Sequence, residues 1–270
     1  MQKSDEVDIL VIGGGPAGST AASMAAKSGL SVKVCERSKF PREHVGESLL
    51  PASIAILEEL GLKEAISNAG FLPKYGATMV WGKDETPWSW RFSETNKQNI
   101  HSYQVSRPIF DEILLKRSAE LGVLVEEESS VSKILTNDSN RGVVVTNKMG
   151  QEYFQPAKFI VDASGQSALL ARNLNLRQWD EHFQNLAIYG YFTGAKKLPT
   201  PDENNIFIES YENGWVWTIP LNDGITSVGA VVDSNESNAE LRKTDPITFL
   251  KEQLSLTNRT SDMLSEAELK

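Results

Sequence analysis

Gly13, Gly15 and Gly18 stand in a G-x-G-x-x-G spacing, and Glu36 follows at the distance of about 20 residues that a dinucleotide site uses. Gly13 permits a tight turn, Gly15 lets the backbone approach a pyrophosphate, and Gly18 allows a helix to pack closely on a sheet. Gly14 and Ala17 complete the turn, and Pro16 has no N–H to leave unpaired at a first helical position. The helix start then turns free N–H groups and a positive dipole end toward phosphate oxygens. A carboxylate at Glu36 accepts hydrogen bonds from ribose hydroxyls and disfavours a 2′-phosphate. The chemistry is dinucleotide binding, and the fingerprint alone does not choose between NAD and FAD.

Other residues carry less by themselves. Trp215 and Trp217 fall on one face of a strand because side chains alternate there, and for a lone W-x-W core packing is the reading that the residues favour over a cavity wall. Lys74 is one of 27 Lys and Arg, and by type alone it reads as a solvated surface group. His44, His101 and His182 show no ligand spacing with one another or with Cys35, so no metal is assigned.

The elements that must position these residues are legible in part. Val7–Ile12 is a short apolar run bounded by glycines, expected as a central parallel strand. An alanine-rich helix over 19–27 ends at Gly29, and 32–36 supplies a second strand, giving a β-α-β unit. Ile54, Leu57 and Leu60 mark one helix face ended by Gly61, and a further helix opens at Pro108 and closes at Gly122. Strands are expected at 77–81 and 88–92, with a loop over 93–99. The runs at 123–125, 134–135, 143–145 and 159–162 form an antiparallel excursion returning to the main sheet. From 186 to 232 the pattern is almost wholly strand, with Tyr189, Tyr191, Ile206, Ile208, Trp215 and Trp217 alternating. This second sheet is the expected wall of a substrate cavity.

Composition narrows the class. Of the 270 residues, 40% are hydrophobic and 23% charged, the balance of a globular protein. A formal charge of -9 without a Lys/Arg cluster argues against nucleic acid and anionic membranes as partners. The acidic N-terminus lacks a signal-peptide pattern, and the single cysteine, Cys35, sits in an apolar run. A cytoplasmic protein is expected.

Two segments select the flavin. Arg107-Pro108-Ile109-Phe110-Asp111 with Glu112-Ile113-Leu114-Leu115, and Val161-Asp162-Ala163-Ser164-Gly165, resemble the R-x-x-F-D-x-L-L and D-A-S-G segments of the FAD-dependent hydroxylase and reductase superfamily. That resemblance implies Arg107 beside the cofactor and Asp162 where the chain returns to the nucleotide site. Three more segments resemble the flavin-dependent halogenases of phenolic, tyrosyl or pyrrolic type. They run from Phe40 through Arg42, Glu47 and Ser48 to Pro51, from Lys74 through Tyr75-Gly76-Ala77 to Gly82, and from Gly214 through Trp215 and Trp217 to Pro220. The segments 183–191 and 225–231 resemble the same subgroup.

The resemblance implies an α/β fold with a Rossmann-like, doubly wound FAD domain and a mixed β-sheet substrate domain, of the p-hydroxybenzoate hydroxylase kind. The expected division is 1–74 with 101–185 for FAD, 75–100 with 186–245 for the substrate sheet, and 246–270 as the start of a helical segment. The G-D-A segment and D-P-x-x-S-x-G loop of the family do not occur here, so the chain is expected to be the N-terminal part of a longer protein, inactive alone. The implied cofactor is FAD as FADH2, delivered by a separate flavin reductase, with chloride or bromide as co-substrate. Hypohalous acid would travel along a tunnel to Lys74, which holds it or carries the halogen as a chloramine. Trp215 and Trp217 would keep the aromatic substrate, free or tethered to a carrier protein, away from the flavin. Glu47, with its neighbours Gly46 and Ser48, would contact the flavin. An FAD-dependent monooxygenase, a geranylgeranyl-reductase-like enzyme and a flavin-free truncated remnant are the alternative readings.

Overall fold

The structure is a computed structural model describing residues 2–137, 140–180, 182–234, 237 and 241–270; the expected domain ranges run through the remaining positions, which lie outside the described residues. The chain divides into two compact units. One comprises Met1–Val45, Glu58–Ile66 and Arg107–Gln178; the other comprises Gly46–Leu57, Ser67–Ser106 and Trp179–Lys270. Lys74 and the segment after 246 thus belong to the second unit, whereas the sequence pattern put Lys74 at the edge of the first.

In the first unit four strands run parallel in the order Leu124–Glu126, Val32–Cys35, Val7–Ile12 and Glu152–Asp162. Alternation splits Val7–Ile12 between two cores. Val11 joins Ala22, Val32, Val34, Leu115 and Val123 under the helices Pro16–Lys27 and Arg107–Glu120. Leu10 and Ile12 join Ile134, Val143 and Val145 on the other face. That face is covered because Glu152–Asp162 also pairs antiparallel with Gly142–Thr146, which pairs with Ser130–Leu135. Each such fully buried aliphatic side chain contributes roughly 1.5–3 kcal/mol. The first helix presents Gly18, Ser19, Ala22 and Ser23 to the interior, small residues that let it approach the sheet closely. It begins at Pro16, three positions earlier than its alanine pattern indicates, since proline is favoured in the first turn.

The second unit holds a sheet ordered Glu268–Leu269, Asn185–Thr193, Ile225–Asp233, Gly214–Pro220, Ile206–Tyr211, Gly76–Val80 and Trp88–Arg91. Its pairs are antiparallel except for Ile206–Tyr211 with Gly76–Val80. One face buries Phe192, Val216, Val228 and Ala230 against Leu250 and Leu254 of the helix Pro246–Ser255. Asp245 caps this helix by accepting from the N–H groups of Ile247 and Thr248. A second helix, Asn258–Met263, is anchored by Glu209 of the sheet, whose buried carboxylate accepts from the N–H groups of Asn258, Arg259 and Thr260.

Three local expectations fail. The run at 123–125 is not part of the antiparallel excursion, since Leu124–Glu126 pairs parallel with Val32–Cys35. Phe92–Thr95 is a helical turn and not loop, because Phe92 is buried and Glu94 accepts from the N–H of Arg91. The end of the chain is not helical throughout: Glu268–Leu269 pairs with Phe192–Thr193, extending the sheet by a strand. Among the described residues no helix is long and apolar enough to cross a membrane.

Candidate functional site

In the first unit a cleft of about 450 Å³ is lined by Gly13, Gly15, Ala17, Glu36, Arg42 and Arg107, among others. Its floor is the glycine turn. Gly13 has φ +100, and a Cβ there would lie 2.5 Å from the carbonyl oxygen of Ala163. A Cβ on Gly18 would lie 1.9 Å from the carbonyl oxygen of Gly13, so turn and helix touch backbone to backbone. A Cβ on Gly15 would meet only Nη2 of Arg42, at 3.2 Å, which leaves the helix N-terminus open toward the cleft. No acidic side chain occupies the first turn of that helix. Glu36 is buried; its Oε2 accepts from the N–H of Gly14 at 2.6 Å and its Oε1 from the N–H of Ser38 at 2.8 Å. Each oxygen keeps a lone pair for a hydroxyl.

The arginines are braced from behind. Arg107 donates through Nε and Nη2 to the two oxygens of Asp111, at 2.7 and 2.9 Å, and through Nη1 to the carbonyl of Val45 at 2.6 Å. Asp111 is fully buried and also faces Nη1 of Arg42 at 3.1 Å. Two guanidinium groups therefore share one carboxylate, so that of this trio one positive charge is left uncompensated. Asp162 does not line the cleft. It accepts from the N–H groups of Ser164 and Leu170 and so shapes the turn whose residues Ala163, Ser164 and Gly165 do. Cys35 also lines the cleft, but burial pushes its thiol up to about 12, which makes it a poor nucleophile.

The second unit gathers Lys74, Glu47, Trp215 and Trp217. Lys74 ends the strand Leu72–Lys74, paired with Ser102–Gln104, and only 2% of it is exposed. Its Nζ donates to Oγ of Ser48 at 2.5 Å and sits 5.3 Å from the ring centre of Phe92. Burial lowers its pKa from 10.5 to about 8. Glu47, next to Ser48, is fully buried and accepts from the hydroxyl of Tyr191 at 3.2 Å and from the N–H of Gly46 at 3.1 Å.

Rings continue across the sheet from Tyr191. Tyr191 and Tyr189 have centroids 6.0 Å apart, Tyr189 and Trp217 6.3 Å, Trp217 and Trp215 6.1 Å, and Trp215 and Trp81 6.4 Å. Gly229 is the register partner of both Trp217 and Tyr189. A Cβ there would lie 2.3 Å from Cζ2 of Trp217, so the indole lies flat over the glycine. Its Nε1 donates to Oγ of Ser227 at 3.2 Å.

A cleft shaped for phosphate in one unit, and a sheet face of aromatic rings with a dry lysine in the other, narrow the families that fit. The tryptophan halogenase family model matches residues 8–102 and 94–262. The chain belongs to the tryptophan halogenase family. Similar curated proteins include the flavin-dependent halogenase armH3 of Armillaria mellea, 39% identical over 239 residues, covering 85% of this chain and 47% of that protein. The 1H-pyrrole-2-carbonyl-[peptidyl-carrier protein] chlorinase of Pseudomonas fluorescens is 35% identical over 289 residues, with 97% of this chain and 63% of that one covered. Among solved structures, the myxobacterial chondrochloren halogenase CndH matches with TM-score 0.92 and 39% identity over 98% of this chain and 61% of that one. The flavin-dependent halogenase CmlS matches at 0.91 and 36%, over 98% and 48%. The chain spans about half the length of the curated relatives it matches.

A tryptophan halogenase family member of this kind implies FAD, and the cleft fits it. An uncompensated helix N-terminus and two arginines suit a pyrophosphate, the forced glycines hold the approach open, and Glu36 suits ribose hydroxyls. In this halogenase-family chain Arg42, Ser102 and Gln104 carried no expected role, while Ser48, expected with Gly46 and Glu47 at the flavin, instead accepts from the amine of Lys74. Arg42 reads as a solvated loop cation until its pairing with Asp111 is seen, although its place in the Phe40–Pro51 segment was a signal.

Proposed function

We propose that the whole protein is a flavin-dependent halogenase acting on an electron-rich aromatic ring, phenolic or pyrrolic, and that Lys74 is the residue that presents the electrophilic halogen. The observation that carries this reading is an amine buried to 2% exposure, held by Ser48, in the unit whose sheet bears the row of aromatic rings. Bound reduced FAD, with dioxygen, supplies the oxidising equivalents that turn chloride or bromide into hypohalous acid. Gly13, Gly15, Glu36, Arg42 and Arg107 hold the dinucleotide.

Lys74 donates a hydrogen bond to the oxygen of hypohalous acid. With a pKa of about 8 it is mostly ammonium at neutral pH yet close enough to its midpoint to exchange a proton. A donor on that oxygen draws electron density from the halogen and makes it more electrophilic. Trp215, Trp217 and Tyr189 form an apolar wall against which an aromatic ring stacks and from which water is excluded. A separate flavin reductase delivers FADH2. The carrier-protein chlorinase among the relatives supports a tethered substrate as one form of the ring.

The test is product mass from the full-length protein with a flavin reductase, using a phenol and a pyrrole-2-carbonyl group, each free and as a carrier-protein thioester. Chloride-dependent and bromide-dependent mass increments are expected on at least one probe. A hydroxylated product indifferent to halide would overturn the assignment.

A further inference from the structure

Backbone hydrogen bonds add residues 47–49 to the small sheet that carries Lys74: the N–H of Leu49 donates to Tyr103 and that of Val105 to Glu47, at 3.0 and 2.8 Å. Ser48 is then opposite Gln104, Gln104 opposite Leu72, and Ser102 opposite Lys74. Residues opposite one another, and residues two apart on one strand, share a face. Lys74, Ser48, Ser102 and Gln104 therefore stand on a single face, with the lysine side chain reaching across the central strand to Ser48.

Two atoms on that face are anomalous. Oγ of Ser102 and Oε1 of Gln104 are buried and have no hydrogen-bond partner in the protein, and both residues are fully enclosed. Nε2 of Gln104 donates to the carbonyl of Asn204 at 3.0 Å, which fixes the amide so that its oxygen, the acceptor, is left over. An unsatisfied buried acceptor costs about 1–3 kcal/mol. The ammonium of Lys74 has three N–H donors and uses one of them on Ser48. The face thus offers spare donors and spare acceptors.

We infer that Ser102 and Gln104, with Lys74 held by Ser48, form an enclosed seat for a small neutral hydroxylic oxidant of the HO–X class. Its oxygen accepts from the Lys74 amine, and its O–H donates to Ser102 or Gln104. No bond is made or broken in binding. The halogen leaves as X⁺ equivalent to the aromatic ring only afterwards, and the ring proton and hydroxide leave as water. This seat rests on the halogenase reading above.

The test is a single turnover of full-length protein with reduced FAD, dioxygen and chloride, without aromatic substrate. Oxidising equivalents are then titrated in the protein fraction and, with monochlorodimedone as trap, in the filtrate, each per FADH2 consumed. The wild type is expected to retain most of them, whereas Ser102→Ala and Gln104→Met shift them to the filtrate about tenfold, the worth of one hydrogen bond. Ser102→Thr is expected to restore retention. Since Ser102→Ala removes an unpaired oxygen, its Tm should equal or exceed that of the wild type, which a purely structural serine would not allow. Retention by the wild type and equally by Ser102→Ala overturns the seat while leaving the halogenase reading intact. No oxidising equivalents in either wild-type fraction overturns that reading, and the seat with it.

Discussion

A lysine almost wholly removed from water is costly to fold, because its charged form must lose hydration. Lys74 titrates at about 8 in the folded chain against 10.5 when solvated. The unfolded chain therefore binds more protons between these values, and the penalty is full below about pH 8 and fades as the pH rises toward 10.5. Lys74→Met is expected to stabilise the protein at pH 7 by about 3 kcal/mol, at ~1.4 kcal/mol per pKa unit, with the gain vanishing by pH 10.5. Urea unfolding of both proteins across this range reads it, and a gain independent of pH would contradict the cause given. Residue identity alone hid this behaviour. Lys74 is dry because its strand, Phe92 and Ser48, which are distant in sequence, close over it. Only the likeness of the K-x-G-A stretch to a family pointed there.

At the scale of elements, the nucleotide motif was the most legible part. Its glycines, helix start and Glu36 act within a single β-α-β unit, so local spacing carries the geometry. The W-x-W pair was legible as two indoles on one face. The glycine beneath them was not, because the pairing of Trp217, Gly229 and Tyr189 across three strands is set by register. That register yields a sharp expectation. In Gly229→Ala the new methyl would lie 2.3 Å from Trp217 and 2.7 Å from Cβ of Tyr189, so the indole must lift from the sheet. A loss of about 1–3 kcal/mol is expected from such overpacking, together with a shift in tryptophan emission. Unaltered stability and emission would show that the indole does not lie over the glycine. The turn at Phe92–Thr95 and the closing strand Glu268–Leu269 escaped the pattern for the same reason: a buried phenylalanine and a distant strand decide them.

At the scale of the whole molecule, each unit has its own core, and each gathers residues from separated stretches of the chain. The fold class was readable because alternating strands and helix caps repeat over many residues. The division between units was not, because Gly46–Leu57 and Ser67–Ser106 join the second unit through pairings that leave no compositional trace. We propose that the nucleotide cleft of one unit and the dry amine of the other serve a single halogenation in the whole protein. The most direct test compares full-length wild type with Lys74→Ala under identical supply of FADH2, dioxygen and chloride, reading chlorinated product against FADH2 consumed. A fall in product per FADH2 of about 100-fold or more, the scale of removing one preorganised donor, with bound flavin retained, is the predicted result. Chlorinated product at the wild-type ratio from Lys74→Ala would contradict it.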